Sequence, residues 1–392
     1  MDMNNKLIFI TSTINHNKFR DRLDAAFVAG YDIIVVGYGR NGGTKIAVSD
    51  AADRVTYYIV DSPSRMGIVS RLPFLLKLIL KIVYVRIKHG RPGVILVNNA
   101  ELLLSSSILF PGKTRRIYDL ADIHPVQYGG GLFAKLFRAA EARALRSKKW
   151  EIVVTSPWFY WNYVLPVLHV ASDCYLIENK LIGRDRVGAC SSPMRVELNS
   201  SLFIGWTGIL RCDRSFDILL DLCASNKLVN VDLIGVLGSL DAGLLARAKS
   251  LSNIRVLGEY CEEELGDKLI DVHFLWACDF TDGLNSKLLL PNRLYQGVFY
   301  RKPLIAAAGT AAGYVVEHYD IGIVLEDFSA VNLSHCLSAV TQEQYDQWVN
   351  NCARLSDRVL RGDEWRNFLR VLDQRDSPKL GDEVDVSVVM SR

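Results

Sequence analysis

The sequence predicts an α/β protein with parallel sheets, on three observations. Short apolar runs recur along the chain, each leading into a polar or glycine-containing loop and then into an amphipathic stretch. Residues 6–11 (KLIFIT), a helical pattern over 19–29 stopped by Gly30, and a second run at 32–36 make the first strand–helix–strand unit, whose two strands must lie parallel. The chain, at 392 residues and 49% hydrophobic, is long enough for two domains with substantial cores.

The bulk properties exclude more than they select. A formal net charge of +3 requires any basic surface to be local, so nothing in the composition points to nucleic acid. The eight cysteines show no CxxC pair and no metal-like spacing with histidine, which reads as thiols in a reducing compartment. The start, MDMNNK, has no basic n-region before an apolar core, so a cytoplasmic protein is expected.

In a parallel sheet, ligands collect at the carboxyl ends of the strands. The loops over 11–20, with His16 and Arg20, and over 37–43 are therefore candidates, against the plainer reading of solvated loops. Residues 71–88 are the most apolar segment, yet Lys77 and Lys81 keep the apolar runs far too short to span a bilayer. On a helix Lys77, Lys81, Tyr84 and Lys88 share a face. Such a segment fits a helix packed on the sheet with its lysines reaching solvent, or a basic amphipathic helix on an anionic membrane. A further strand is expected at 94–97, ending at Asn98 and Asn99.

The segment 115–125 (RRIYDLADIHP) carries a strand into Asp119, Asp122 and His124, followed by Pro125 and three glycines at 129–131. Clustered ionisable groups at a strand end suit a general base; a capped polar turn is the alternative. A helix over 132–146 with a basic polar face, strands at 150–155 and 173–177, and a polar stretch to about 201 complete the first half. A strand at 202–206 then enters Thr207-Gly208, where glycine permits close backbone approach and Arg211 or Arg214 supplies charge. Strands follow at 231–235, 254–258 and 272–278.

The densest stretch is 279–313: a polar loop containing Lys287, a short helix opened by Pro291 at its first position, and an apolar strand over 303–308. A helix start presents backbone N–H groups and a positive dipole end, which suits a phosphate flanked by Lys287 and Arg293. A last strand at 321–325 and a helical region over 344–372 close the pattern.

Pro291, Asn292, Arg293, Leu294, Tyr295 and Gln296, then Arg301, Lys302, Pro303, Leu304, Ile305 and Ala306, resemble the donor-binding segment of GT-B glycosyltransferases. That pattern runs Pro-Asn-Lys-Leu-(Tyr/Phe)-Glu, then Lys-Pro-(Val/Ile)-Ile-Ala. Arg293 keeps the charge of the usual lysine. Gln296 stands where these enzymes place a glutamate on the nucleotide ribose, and is a neutral, weaker acceptor. The resemblance covers about residues 6–373 and implies two Rossmann-like domains facing a cleft. Residues 1–180 would bind the acceptor, 181–201 link, and 202–375 bind the nucleotide sugar. A C-terminal helix would cross back to the first domain, with Trp365 as its aromatic residue.

The resemblance further implies transfer of a sugar from a nucleoside-diphosphate sugar, expected to be a UDP-sugar. The acceptor would be a glycan or lipid-linked molecule of cell-surface polysaccharide synthesis, met at the inner face of the plasma membrane. It assigns the donor to Gly208, Arg211, Tyr260, Lys287, Asn292, Arg293 and Gln296, with Gly258 and Glu259 beside the base. The acceptor-activating base is expected at Asp122, with Asp119 or His124 orienting it. No DxD motif is present, so no metal or other cofactor is expected. The paired glutamates of retaining members are replaced by Leu288 and Gln296, which favours inversion. Residues 376–392 form a tail, in which 384–391 resembles the first strand of a family 2 GT-A domain and suggests a longer bifunctional protein. A non-catalytic GT-B-like module and a nucleotide-sugar epimerase are the alternative functions.

Overall fold

The computed structural model describes residues 5–12, 14, 17–40, 54–62, 68–110, 114–181, 201–359, 364–373, 379–381 and 383–390. The chain divides into two compact units, Met1–Glu178 with Asp363–Val384, and Asn179–Gly362 with Asp385–Arg392. His16, the side chain of Arg20, residues 41–43 and most of the expected linker, 182–200, lie outside the described residues.

The first unit runs β1 (Lys6–Thr11), α1 (Asn17–Val28), β2 (Asp32–Arg40), β3 (Val55–Ser62), α2 (Ile68–His89), β4 (Val94–Val97) and α3 (Ala100–Leu109). It continues with β5 (Arg115–Leu120), α4 (Pro125–Tyr128), α5 (Leu132–Lys148), β6 (Glu151–Val154), α6 (Pro157–Phe159), a π-helical turn at Tyr160–Val164, and β7 (Cys174–Leu176). All seven strands pair in parallel, in the order β3-β2-β1-β4-β5-β6-β7. Alternate residues of these strands face opposite layers. Leu7, Phe9, Ile33, Val35, Ile117 and Val153 pack with Phe19 and Leu23 of α1. Ile8, Ile10, Ile34, Val36, Ile95 and Val97 are equally buried and face the other way. Right-handed crossovers put α1 on the first face, because the chain moves outward from β1 to β2. The links β3–α2–β4, β4–α3–β5 and β5–α5–β6 move in the opposite direction, so α2, α3 and α5 share the second face. In that layer α2 packs beside α3 and α3 beside α5.

The second unit runs β8 (Leu202–Leu210), α7 (Asp213–Ser225), β9 (Val229–Leu237), α8 (Ala242–Lys249), β10 (Ile254–Gly258), α9 (Leu265–Lys268) and β11 (Phe274–Trp276). Then come α10 (Leu284–Leu288), α11 (Asn292–Phe299), β12 (Leu304–Ala307), α12 (Ala311–Tyr319), β13 (Gly322–Leu325), α13 (Ala330–Ala339) and α14 (Gln342–Leu355). Its parallel sheet has the order β10-β9-β8-β11-β12-β13 around a core that includes Trp206, Phe216, Phe274, Trp276 and Trp348. The two Rossmann-like sheets are those expected.

The helical region expected over 344–372 is α14, a 3-10 turn at Ser356–Val359, and α15 (Glu364–Leu372), which belongs to the first unit. There Phe368, Val371 and Leu372 enter the core beside α1. The Arg115 guanidinium donates to the carbonyl oxygens of Leu372 (2.5 Å) and Val371 while pairing with Glu151 at 2.7 Å. A cation on the last carbonyls of a helix suits its dipole. The side chain of Trp365 lies outside the described residues.

Two local expectations are corrected. Pro291 has extended backbone (ψ 149°) and takes the N-cap, so Asn292 opens α11. The strand expected over 384–391 is a 3-10 turn, Val386–Val388. Asp385 accepts from the Ser387 N–H (2.9 Å), bending the chain, and the Tyr319 hydroxyl donates to the Val389 carbonyl (2.6 Å). Val389 and Met390 are buried there.

Candidate active site

In the second unit the strand order reverses between β8 and β11, and a ligand site is expected beyond the carboxyl ends at such a point. Gly208 sits near the end of β8 with φ +95°, and a Cβ there would enter open space. Its register partner on β9, Gly235, has φ +142°, and a Cβ on it would lie 1.9 Å from the Gly208 carbonyl oxygen. Glycine at 235 keeps the strands paired; glycine at 208 leaves the backbone open to a ligand.

Beside Gly208 the buried Thr207 hydroxyl donates to Gln296 Oε1 at 2.6 Å, and Gln296 Nε2 donates to the Tyr260 hydroxyl at 3.1 Å. Three segments far apart in sequence therefore meet in one cluster. Burial pushes the Tyr260 phenol above its ordinary range, so it stays protonated and neutral. Gln296, expected on the ribose, is buried and uses one oxygen lone pair and one N–H inside this cluster.

Arg293, on the first turn of α11, is also turned inward. Its guanidinium donates to the carbonyls of Trp276 and Cys278, both at 3.3 Å, and lies 3.8 Å from Asp279. Burial lowers its pKa, and the nearby Asp279 opposes that shift. Its visible work is to tie α11 to the end of β11. Asp279 in turn accepts from the Thr281 N–H (2.8 Å) and the Ser286 hydroxyl (3.3 Å), shaping the turn into α10. Lys287 and Asn292 are exposed on that surface. Arg211 pairs with Asp282 at 2.7 Å in a largely solvated contact, and Arg214 stacks over Phe280 and Phe328. Gly258, at the end of β10, has φ +70° with open space before it, and Glu259 is exposed.

In the first unit the strand order reverses between β1 and β4, where Asn98 accepts from the Ser12 N–H (3.0 Å) and donates to Thr11 (2.8 Å). Further along this edge the three predicted ionisable residues separate. Asp119 lies within β5, buried, and takes Arg22 Nε at 3.0 Å, while the same guanidinium stacks 4.6 Å from the Phe368 ring centroid. Asp122 is exposed in the following loop. His124 caps α4: its Nδ1 accepts from the Val126 N–H (3.3 Å), and its own N–H donates to Gln127 Oε1 (2.9 Å).

Beneath that loop lies a network that sequence reasoning misses. Gln127 Nε2 donates to Glu141, which also takes the hydroxyls of Tyr118 (3.1 Å) and Tyr163 (2.6 Å). Burial raises the Glu141 pKa against the lowering effect of these hydrogen bonds. Arg138 donates to the carbonyls of Gln127 and Gly129 at 3.0 and 2.8 Å, fixing the glycine turn. Arg22 and Thr207 were missed as well. The only sequence signal for Thr207 is its place before Gly208; for Glu141, its being the lone acid of a basic helix.

No protein-family model matches the chain. The succinoglycan biosynthesis protein ExoL of Rhizobium meliloti is 27% identical over 355 residues, covering 87% of this chain and 86% of that protein. Among solved structures, sucrose-phosphate synthase from Thermosynechococcus elongatus superposes with a TM-score of 0.70 at 12% identity, over 94% of this chain and 98% of that one. HepE of Anabaena, solved with UDP, gives 0.65 at 13% identity, over 94% and 100%. The glycosyltransferase WaaG gives 0.63 at 14% identity, over 93% and 99%. The chain thus has the GT-B glycosyltransferase fold. Among the described residues, no helix is long and apolar enough to cross a membrane.

Proposed function

We infer that this chain is a glycosyltransferase that moves a sugar from a UDP-sugar to a glycan or lipid-linked acceptor in polysaccharide synthesis, with inversion. The observation that carries this reading is the meeting of Thr207, Gln296 and Tyr260 beside the open Gly208, where the sheet reverses its order. Its support from outside is the shared fold of a UDP-bound structure and the likeness to a succinoglycan biosynthesis protein.

In this reading the diphosphate lies against the Gly208 backbone, the first turn of α11 and the cations Arg211 and Lys287. The leaving group's charge is then met by fixed dipoles and side chains, with no metal required. Arg211 can turn to a phosphate at small cost, since a solvated pair such as Arg211–Asp282 contributes only about 0–1 kcal/mol. Arg293 and Gln296 act one layer back, holding α11 and Tyr260 in place. Asp122, exposed on its loop where Asp119 is buried against Arg22, takes the acceptor hydroxyl's proton as the new glycosidic bond forms. Peripheral contact through residues 71–88 brings the enzyme to a lipid-linked acceptor at the membrane face.

Thermal unfolding with UDP, other nucleoside diphosphates and UDP-sugars tests the donor half. A ligand at about 100 times its Kd adds about 2.7 kcal/mol to stability. A selective shift with UDP compounds, followed by release of UDP when acceptor is added, is the expected result. No shift with any nucleotide overturns it.

A further inference from the structure

Helix α2 buries one stripe, Leu78, Ile82 and Val85, against its unit. Leu72, Leu76, Leu80 and Ile87, on the remaining surface, are each 58–78% exposed. Single exposed leucines are ordinary; a row at helical spacing along one helix is a patch. A second patch lies on the first turns of α5, where Leu132, Phe133 and Leu136 are 61–73% exposed. Both helices belong to the layer on the same face of the sheet, with α3 between them. In a parallel sheet the turns that open α2 and α5 lie at the carboxyl edge, the edge that also holds the Asp122 loop.

Charge identifies the occupant. Helix α2 has no acidic residue and carries Arg71, Lys77, Lys81, Arg86 and Lys88. In α5 the sole acid, Glu141, is buried, while Lys135, Arg143 and Arg146 are exposed. A second copy of the chain on this face would set basic helices against basic helices, which opposes association. Exposed leucine and phenylalanine beside lysine and arginine suit the boundary of an anionic bilayer.

We propose that α2 and the first turns of α5 form one docking surface for anionic lipid, with Leu132, Phe133 and Leu136 as the inserting wedge next to the Asp122 loop. The α5 wedge extends the contact through residues 71–88, and it rests on the transferase reading only for its purpose, presenting a lipid-linked acceptor to Asp122.

Vesicle flotation tests it, with phosphatidylcholine alone and phosphatidylcholine mixed with phosphatidylglycerol, at low and high salt. Binding is expected to the mixed vesicles only, and to weaken with salt. The triple variant Leu132→Ser/Phe133→Ser/Leu136→Ser should weaken that binding by about tenfold or more, as should Leu76→Ser/Leu80→Ser. All five positions are exposed, so unchanged melting curves and UDP shifts in the same samples keep folding and donor binding separate from docking. Equal binding to both vesicle types, binding to neither, or an α5 variant that floats like the wild type overturns the proposal. So does a dimer in light scattering that the α5 variant dissociates, which would make the face an interface between copies.

Discussion

At the carboxyl edge of the second unit's sheet, Thr207, Gln296 and Tyr260 bond one another, and Arg293 is locked onto the end of β11. At the same edge of the first unit, Asp119 is turned inward to Arg22 while Asp122 and His124 stand at the surface. One region has its polar groups fixed before any ligand arrives; the other keeps its ionisable groups on a short loop braced from below by Gln127 and Glu141. In the proposed transfer the two regions would meet two different demands. Stabilising a departing diphosphate needs dipoles that do not reorganise, whereas accepting a proton needs a basic group that an incoming hydroxyl can reach.

The largest expected effect tests the exposed side of this contrast. Asp122→Asn removes the proposed base and should lower turnover by about 10²- to 10⁴-fold while UDP affinity stays constant. If turnover keeps within about tenfold of wild type, Asp122 is not the base. Asp119→Ala tests the buried side. It leaves Arg22 charged and unpaired in the core, which costs about 3–5 kcal/mol and should show as an earlier urea midpoint. Asp119→Asn with full stability and lost turnover would return Asp119 to the chemistry.

The fold was legible because parallel strands, covered on both faces, read as apolar runs, and the runs VILV at 94–97 and PLIAAA at 303–308 became β4 and β12. Two elements give weaker signals. The edge strand β3 is only half-buried, and α3 carries three consecutive serines and no clear amphipathic face. The site was legible as far as local motifs reach: Gly208, the α11 start and the Asp122 loop. Partners distant in sequence were not, because nothing in RRIYDL says that Asp119 will meet Arg22, 97 residues away. Nor does a motif say that Gln296 will be taken by Thr207, 89 residues away.

A third prediction concerns a titratable group at the opposite, amino edge of the second unit's sheet. His273 is buried, its Nδ1 accepts from the Phe203 N–H at 3.1 Å, and burial lowers its pKa to about 4. The unfolded chain holds this imidazole's proton below about 6.5. Stability from His273 is thus complete above that pH and is lost as pH falls toward 4, by about 3 kcal/mol in all. His273→Asn should flatten the pH dependence of the urea midpoint in this window. An unchanged slope would place the acid sensitivity elsewhere.

The smallest effect probes the cluster itself. Thr207→Val keeps the shape of the side chain but leaves Gln296 Oε1 without its 2.6 Å donor in a buried site. An unpaired buried acceptor costs about 1–3 kcal/mol. Tyr260→Phe instead removes the acceptor of one Gln296 N–H and should cost less, about 1 kcal/mol, because that end of the cluster is less buried. If the cluster serves to hold Tyr260 for a nucleotide, both variants should weaken UDP binding, and Thr207→Val should do so without the valine touching the ligand. The double variant decides between positioning and mere packing. Its loss of UDP affinity should be smaller than the sum of the single losses, since both act through Gln296. Additive losses would mean that Thr207 and Tyr260 contribute separately, and the view of a pre-bonded donor side would fail at its centre.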